Sequence, residues 1–188
     1  MRLTVVLVLA AVVLAVGCSA PKGATMDQKK ASIKEMRDVT LDKLYAMKPE
    51  VKEKIRNAAG YGVFSDIGTN IIFVTTGNGY GIVRDAKTSD DTYMKMAKLG
   101  LGIGLGAKDY RAVFIFKTGH VLNKFLAKGW EWGAEADAAA KSEKKGGAAN
   151  SEASFGKDVE VYQMTETGLA LQANVGGSKY WKDKELNP

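Results

Sequence analysis

Ile33, Met36, Thr40, Leu44 and Met47 recur at three- and four-residue steps, while Lys29, Lys30, Lys34, Glu35, Arg37, Asp38 and Lys43 fill the other faces. That spacing predicts an amphipathic helix. Thr25, with Gln28 three residues on, reads as a capping box that opens it, and Lys48-Pro49 breaks it. Pro49 suits the first position of a second helix. Val51, Ile55 and Ala58 give that helix its buried face, and Gly60 reads as its left-handed C-terminal cap. The period then changes. Tyr61 to Phe64 and Asn70 to Thr76 are strand-like, Gly77-Asn78-Gly79 is a turn signal, and Tyr80 to Arg84 returns as a strand. Asp85 to Asp91 reads as a polar loop.

From Thr92 to Gly106 the pattern predicts one strand. Leu99, Leu101, Ile103 and Leu105 alternate with Gly100, Gly102, Gly104 and Gly106, so the four glycines share a face. Such a row marks close approach by another backbone, a bulky aromatic or an acyl chain. Tight packing beneath a helix, or a sharp barrel bend, is the simpler explanation and the favoured one. Lys108-Asp109-Tyr110 reads as a turn, and Ala112 to Phe116 as the returning strand. Thr118 caps a short helix with Val121, Leu122, Phe125 and Leu126 inward, closed by Gly129. Period two resumes at Trp130, Trp132, Ala134 and Ala136. Ala138 to Gly156 is low in complexity and reads as a loop. Val159 to Thr165 and Leu169 to Val175 form a hairpin around Glu166-Thr167-Gly168, and Lys179 to Pro188 is a polar tail apart from Tyr180, Trp181 and Leu186. The fold class is therefore α+β: two N-terminal helices, then a curved, mainly antiparallel sheet that can curl toward a barrel, with one further short helix.

The N-terminus changes the picture. Arg2 precedes an unbroken small and apolar run, Leu3 to Val16. A membrane-spanning helix needs about 20 such residues; a shorter run after a positive start is the core of an export signal. Ala15-Val16-Gly17-Cys18-Ser19 resembles the lipobox of bacterial lipoproteins, with alanine where leucine is preferred three residues before the cysteine. The resemblance implies cleavage before Cys18 and a diacylglycerol on its sulfur. Residues 1–17 are then signal peptide, 18–25 a lipidated tether and 26–188 one domain. Ser19, rather than aspartate, after the cysteine points to the outer membrane, facing the periplasm. Cys18 is the only cysteine, so no disulfide forms within the chain and stability rests on a packed core. A formal net charge of +6 fits a surface facing anionic lipid headgroups and equally an ordinary solvated surface of mixed charge, and does not call for nucleic acid.

Catalytic signatures are missing. Gly102 to Ala107 matches the letters of a dinucleotide fingerprint, but strand alternation runs straight through it, where the fingerprint needs a helix to begin; nucleotide is not expected. His120 is the single histidine and reads as a surface residue in the first turn of the short helix. No serine lies in a GxSxG elbow, and the scattered carboxylates have no metal-ligand spacing. No enzyme activity, metal or cofactor is expected.

Asn57-Ala58-Ala59-Gly60-Tyr61-Gly62-Val63-Phe64-Ser65, Gly77-Asn78-Gly79-Tyr80-Gly81-Ile82-Val83-Arg84-Asp85 and Ala112-Val113-Phe114-Ile115-Phe116 occur in order. Phe125, Trp130, Gly133 to Asp137, Val161-Tyr162 and Gly168-Leu169 follow. From Met26 to Gly176 this pattern resembles the SYLF domain, a family of lipid-binding domains found in bacterial lipoproteins and eukaryotic membrane-trafficking proteins. The resemblance implies binding of phosphoinositide or other anionic phospholipid, with actin binding in some eukaryotic members. It also implies membrane contact through the N-terminal helix, here Met26 to Met47. Lys22, Lys29, Lys30 and Lys34 are the candidate headgroup ligands, and Gly100, Gly102, Gly104 and Gly106 the candidate acyl or close-packing face. Lys141 to Ala149 departs from the family as a polar insertion. Bacteria lack actin and, mostly, phosphoinositides, so the expected partner is an anionic phospholipid membrane. The competing expectation is an adaptor lipoprotein that binds another envelope protein.

Overall fold

The computed structural model describes residues 20–71, 74–101, 106–131, 158–165, 168–169 and 178–188. Helix α1 (Met26–Met47) starts as its cap dictates. The Thr25 hydroxyl accepts from the Gln28 amide at 3.2 Å, and the Gln28 side chain accepts from the Thr25 amide at 3.3 Å. Two otherwise unpaired donors are thereby satisfied. The helix buries Ile33, Met36, Thr40, Leu41 and Leu44. Helix α2 (Glu50–Arg56) follows Pro49 and buries Val51. It ends at Asn57 in right-handed helical geometry, so Gly60 is not its left-handed cap. The Ala59 amide already donates to the Phe116 carbonyl at 2.9 Å, and Gly60 opens the first strand. Sheet pairing captures the chain before a left-handed residue is needed.

The strands are β1 (Gly60–Ile71), β2 (Val74–Asp85), β3 (Asp91–Leu101), β4 (Gly106–Phe116), β5 (Trp130–Glu131), β6 (Val159–Thr165), β7 (Gly168–Leu169) and β8 (Ser178–Lys182). Helix α3 (Gly119–Lys128) lies between β4 and β5. All pairs are antiparallel, in the order β5-β8-β3-β2-β1-β4-β6-β7, and the sheet curls into a half-barrel.

Three expectations are corrected. Gly77-Asn78-Gly79 is not a turn: these residues lie inside β2, opposite Gly68, Ile67 and Asp66 of β1. Lys108-Asp109-Tyr110 is not a turn either, because β4 carries them opposite Gly68, Ile67 and Asp66 on the other side of β1. Thr92 to Gly106 is not one strand, since β3 ends at Leu101 and Gly106 begins β4. In the first two cases long-range pairing outweighs local turn chemistry, and in the third the pairing of β3 with β2 and of β4 with β1 outweighs the local alternation. The tail is also more ordered than its composition indicates: Ser178–Lys182 pairs with β3 and β5. The segment 132–157, with most of the expected period-two run and the low-complexity loop, lies outside the described residues.

Alternation along the strands builds two cores. Val63, Ile82, Tyr93, Val113, Ile115, Tyr162 and Met164 face α1, α2 and Leu186. Phe64, Val83, Met94, Met96, Phe114, Phe116 and Tyr180 face Leu122 and Phe125 of α3. With both faces covered, the Ala112 to Phe116 end of β4 reads as an uninterrupted apolar run rather than an alternating one. Among the described residues the two cores draw on positions from Ile33 to Leu186.

A charged latch joins α2 to β6. Lys54 and Lys117 each lie 2.8 Å from the Glu160 carboxylate, and Lys54 also donates to the Tyr162 hydroxyl at 3.0 Å. Burial pushes the Glu160 carboxyl up, but hydrogen bonds from Lys117 and Lys54 outweigh it and hold the group at about 2, below its ordinary 4.5. A carboxylate depressed in the fold stabilises it above the unfolded value and loses that stabilisation as pH falls toward the folded value. Stability should therefore drop between pH 4.5 and about 2. In urea titrations Glu160→Gln should flatten this acid limb and cost stability at pH 7. An unchanged acid limb would show that the latch contributes nothing.

Candidate functional site

One flank of α1 and the sheet beneath it line a groove. Tyr80 of β2 pairs with Ser65 of β1, Ser65 with Arg111 of β4, and Arg111 with Met164 of β6. Tyr80, Arg111 and Met164 of this cross-sheet row form the floor of a groove of about 340 Å³. Ser32, Glu35, Met36, Val39, Thr40 and Lys43 of α1 form its wall, and Lys22 closes the near end. The wall residues follow three- and four-residue steps, so one helical flank presents them together. Three cations and a single carboxylate surround apolar surface from Met36, Val39, Tyr80 and Met164. Val39 is left 62% exposed, the most exposed large apolar side chain among the described residues.

The structure separates the four candidate lysines. Lys22 is exposed and lines the groove. Lys29 pairs with Glu185 at 2.7 Å. Lys30 lies over the Tyr93 ring, 5.5 Å from its centroid. Lys34 lies 3.7 Å from Asp91, which Arg84 approaches at 3.0 Å and Arg37 at 3.7 Å. The last three thus serve as ties between α1 and the sheet or tail as well as cations near the surface. Cys18 lies outside the described residues, as do Gly102 and Gly104. Gly100 pairs with Thr75 and Gly106 with Asn70 at the strand ends.

The glycines with demonstrable close approach are elsewhere. A Cβ at Gly81 would overlap the Phe64 ring and the Val63 carbonyl, and one at Gly79 the Ser65 carbonyl. Both belong to β2 and face the aromatic core. Sequence reasoning gave neither glycine a close approach, and gave Val39, Lys43, Tyr80, Arg111 and Met164 no place in a groove. The available signal was Val39, an apolar residue outside the α1 stripe.

A second feature gathers near the start of α1. Trp181 on β8, 37% exposed, pairs with Lys95 on β3. Lys182 and Lys184 are exposed beside it, and Glu185 ties this end to Lys29. Among the described residues no helix is long and apolar enough to cross a membrane, and no group of His, Cys, Asp and Glu could hold a metal ion. His120 is exposed in the first turn of α3.

Comparison with known proteins gives two matches. The family model described as Ysc84, Las17-binding protein actin regulator, matches residues 97–188. Beta cell expansion factor A of Aeromonas veronii is 35% identical over 162 residues, covering 86% of this chain and 60% of that protein. The chain therefore spans about 60% of the length of this relative.

Proposed function

We propose, from the premise that this chain belongs to the SYLF family of lipid-binding domains, to which its Ysc84 match and its relative assign it, that it is a non-enzymatic envelope lipoprotein anchored through Cys18 and recognising anionic phospholipid. The observation that carries the membrane reading is the end of the domain where α1 begins. Trp181, Lys95, Lys182 and Lys184 gather there, beside the segment that leads from Cys18. Tryptophan favours the boundary between headgroups and acyl chains. Each lysine near an anionic surface contributes about 1 kcal/mol. A tether at Cys18 would hold this end against the bilayer, facing the periplasm at the outer membrane.

Two measurements test the reading. Cys18→Ser in the full chain should release the protein from membranes or leave it unprocessed, because a diacylglycerol supplies both acyl chains that stable attachment needs. A mature-sized variant still in the membrane fraction would sink the anchor. The unlipidated chain Ala20–Pro188 should sediment with phosphatidylglycerol vesicles, less so as salt rises, and hardly with phosphatidylcholine. Sedimentation with neither would remove the phospholipid reading and favour an adaptor that binds another envelope protein.

A further inference from the structure

We infer that the groove between α1 and the sheet shelters one of the acyl chains carried by Cys18 whenever the protein is away from a bilayer. The inference rests on the reading of Cys18 as a diacylglycerol anchor, and gives what that anchor carries a site within the same chain.

The course of the tether carries the inference. Thr25 caps α1, so a tether leading straight away from the helix would leave Lys22 well clear of the Ser32 to Lys43 flank. Lys22 instead lines the groove together with that flank, and Pro21 beside it is half-buried. The chain has doubled back across the first turn of α1. Gly23 makes the reversal with φ at +134°, a conformation that residues with a side chain rarely adopt. Space there is closed as well: a Cβ at Gly23 would meet the Gln28 Cβ at 2.6 Å and the Lys29 amide nitrogen at 2.8 Å. The Gln28 side chain fixes the turn by accepting from the Ala24 amide at 2.9 Å. Cys18 precedes Lys22 by four residues, a reach of about 14 Å at most. The flank from Ser32 to Lys43 is itself about 16 Å long. The chains on the Cys18 sulfur therefore begin within the groove's own length.

The groove suits such a chain. Met36, Val39, Tyr80 and Met164 give it an apolar lining, and the 62% exposure of Val39 is what an acyl chain would remove. At about 340 Å³ it lies near the lower limit of ligand sites, room for one chain rather than two. Attachment, and not the charge of the rim, selects the occupant. A tethered group sits at an effective concentration on the order of millimolar, so a half-open groove suffices. A protein bound for the outer membrane must cross water, where an exposed chain is costly in proportion to its methylenes.

The test uses the full chain, lipidated in cells, with detergent dialysed away. Mass spectrometry of the product first shows whether Cys18 carries diacylglycerol; an unmodified Cys18 would sink the anchor reading and this inference together. A lipase that cuts the two ester-linked chains should then release fatty acid from the parent in two equal phases, the second about tenfold slower. Val39→Glu places a carboxylate on the wall at an exposed position, so its melting temperature should match the parent's while the slow phase disappears. In a Val39→Cys variant, maleimide labelling should become about tenfold faster once lipase has removed the chains. With diacylglycerol present, three results overturn the groove and leave the anchor standing: a single phase in the parent, a slow phase that persists in folded Val39→Glu, or labelling that lipase does not change. Protection of the Val39→Cys thiol that appears only with phosphatidylcholine vesicles would also overturn it, and would assign the groove to a bilayer lipid.

Discussion

Gly81→Val is expected to lower the melting temperature by about 6–12 °C, the equivalent of roughly 3 kcal/mol for a chain of this length. The added side chain has nowhere to go. Its Cβ would overlap the edge of the Phe64 ring and lie 2.5 Å from the Val63 carbonyl oxygen. Phe64 cannot retreat, because its ring is fully buried and packed against Tyr180, Phe114 and Phe125 at centroid distances of 4.8, 5.3 and 6.2 Å. A valine normally regains about 1 kcal/mol or less of strand propensity over glycine, too little to offset the overlap. The double variant with Phe64→Ala is the sharper measurement. Removing the ring opens the space the valine needs, so the two costs should fall short of additivity by about 1 kcal/mol or more. Additive costs, or a Gly81→Val protein that melts like the parent, would mean that β1 and β2 separate freely and that the close approach is not a constraint.

That glycine shows where sequence reading stops. The helices α1 and α3, their caps at Thr25 and Thr118 and the return of the chain after β6 were readable, because each rests on residues a few positions apart; Gly168, expected in the turn, belongs to β7, and residues 170–175 of the expected strand lie outside the described residues. The α+β class with an antiparallel sheet followed from the same local signals. Gly77-Asn78-Gly79 has the letters of a turn and of a strand that another strand crowds, and only its pairing with Gly68, Ile67 and Asp66 separates the two. The β8 strand was hidden for a related reason. Lys179 and Lys182 make it look like a solvated tail, yet the free side of β3 captures it. At the candidate site the lysines of α1 were visible as cations. Glu185, Asp91 and Tyr93, which hold three of them, come from distant parts of the chain. The groove was least accessible of all. Its floor exists only once β2, β1, β4 and β6 are in register, and no local pattern brings Tyr80, Arg111 and Met164 together.

Tyr180→Ala should be the most damaging substitution in the C-terminal segment, costing about 3–5 kcal/mol, the usual range for truncating a buried aromatic. Tyr180 is 4% exposed and closes the aromatic core against Phe64, Phe114 and Phe125. The Gly129 backbone approaches the Tyr180 carbonyl so closely that only a glycine fits at the turn out of α3. Because the ring itself packs against Phe125 of α3, removing it loosens α3 as well as β8. The rest of the tail depends on β8 for its place. Leu186 reaches the other core, the Asn187 side chain donates to the Tyr93 carbonyl at 2.8 Å, and Glu185 holds Lys29 of α1. The hydroxyl matters less. Burial, and then the nearby Asp66 carboxylate, push it well above the ordinary tyrosine value, while a hydrogen bond with Ser178 opposes them, so it stays neutral at any physiological pH. Tyr180→Phe gives up that bond and should cost about 1 kcal/mol. Urea denaturation of the parent and the two variants separates the contributions. Near-equal costs for alanine and phenylalanine would place the stabilisation in the hydroxyl instead of the ring. A Tyr180→Ala protein within about 1 kcal/mol of the parent would show that β8 is dispensable to the aromatic core. The expected order is parent, Tyr180→Phe, then Tyr180→Ala far below, with α1 losing protection from hydrogen exchange first at its Lys29 end, where the tail holds it.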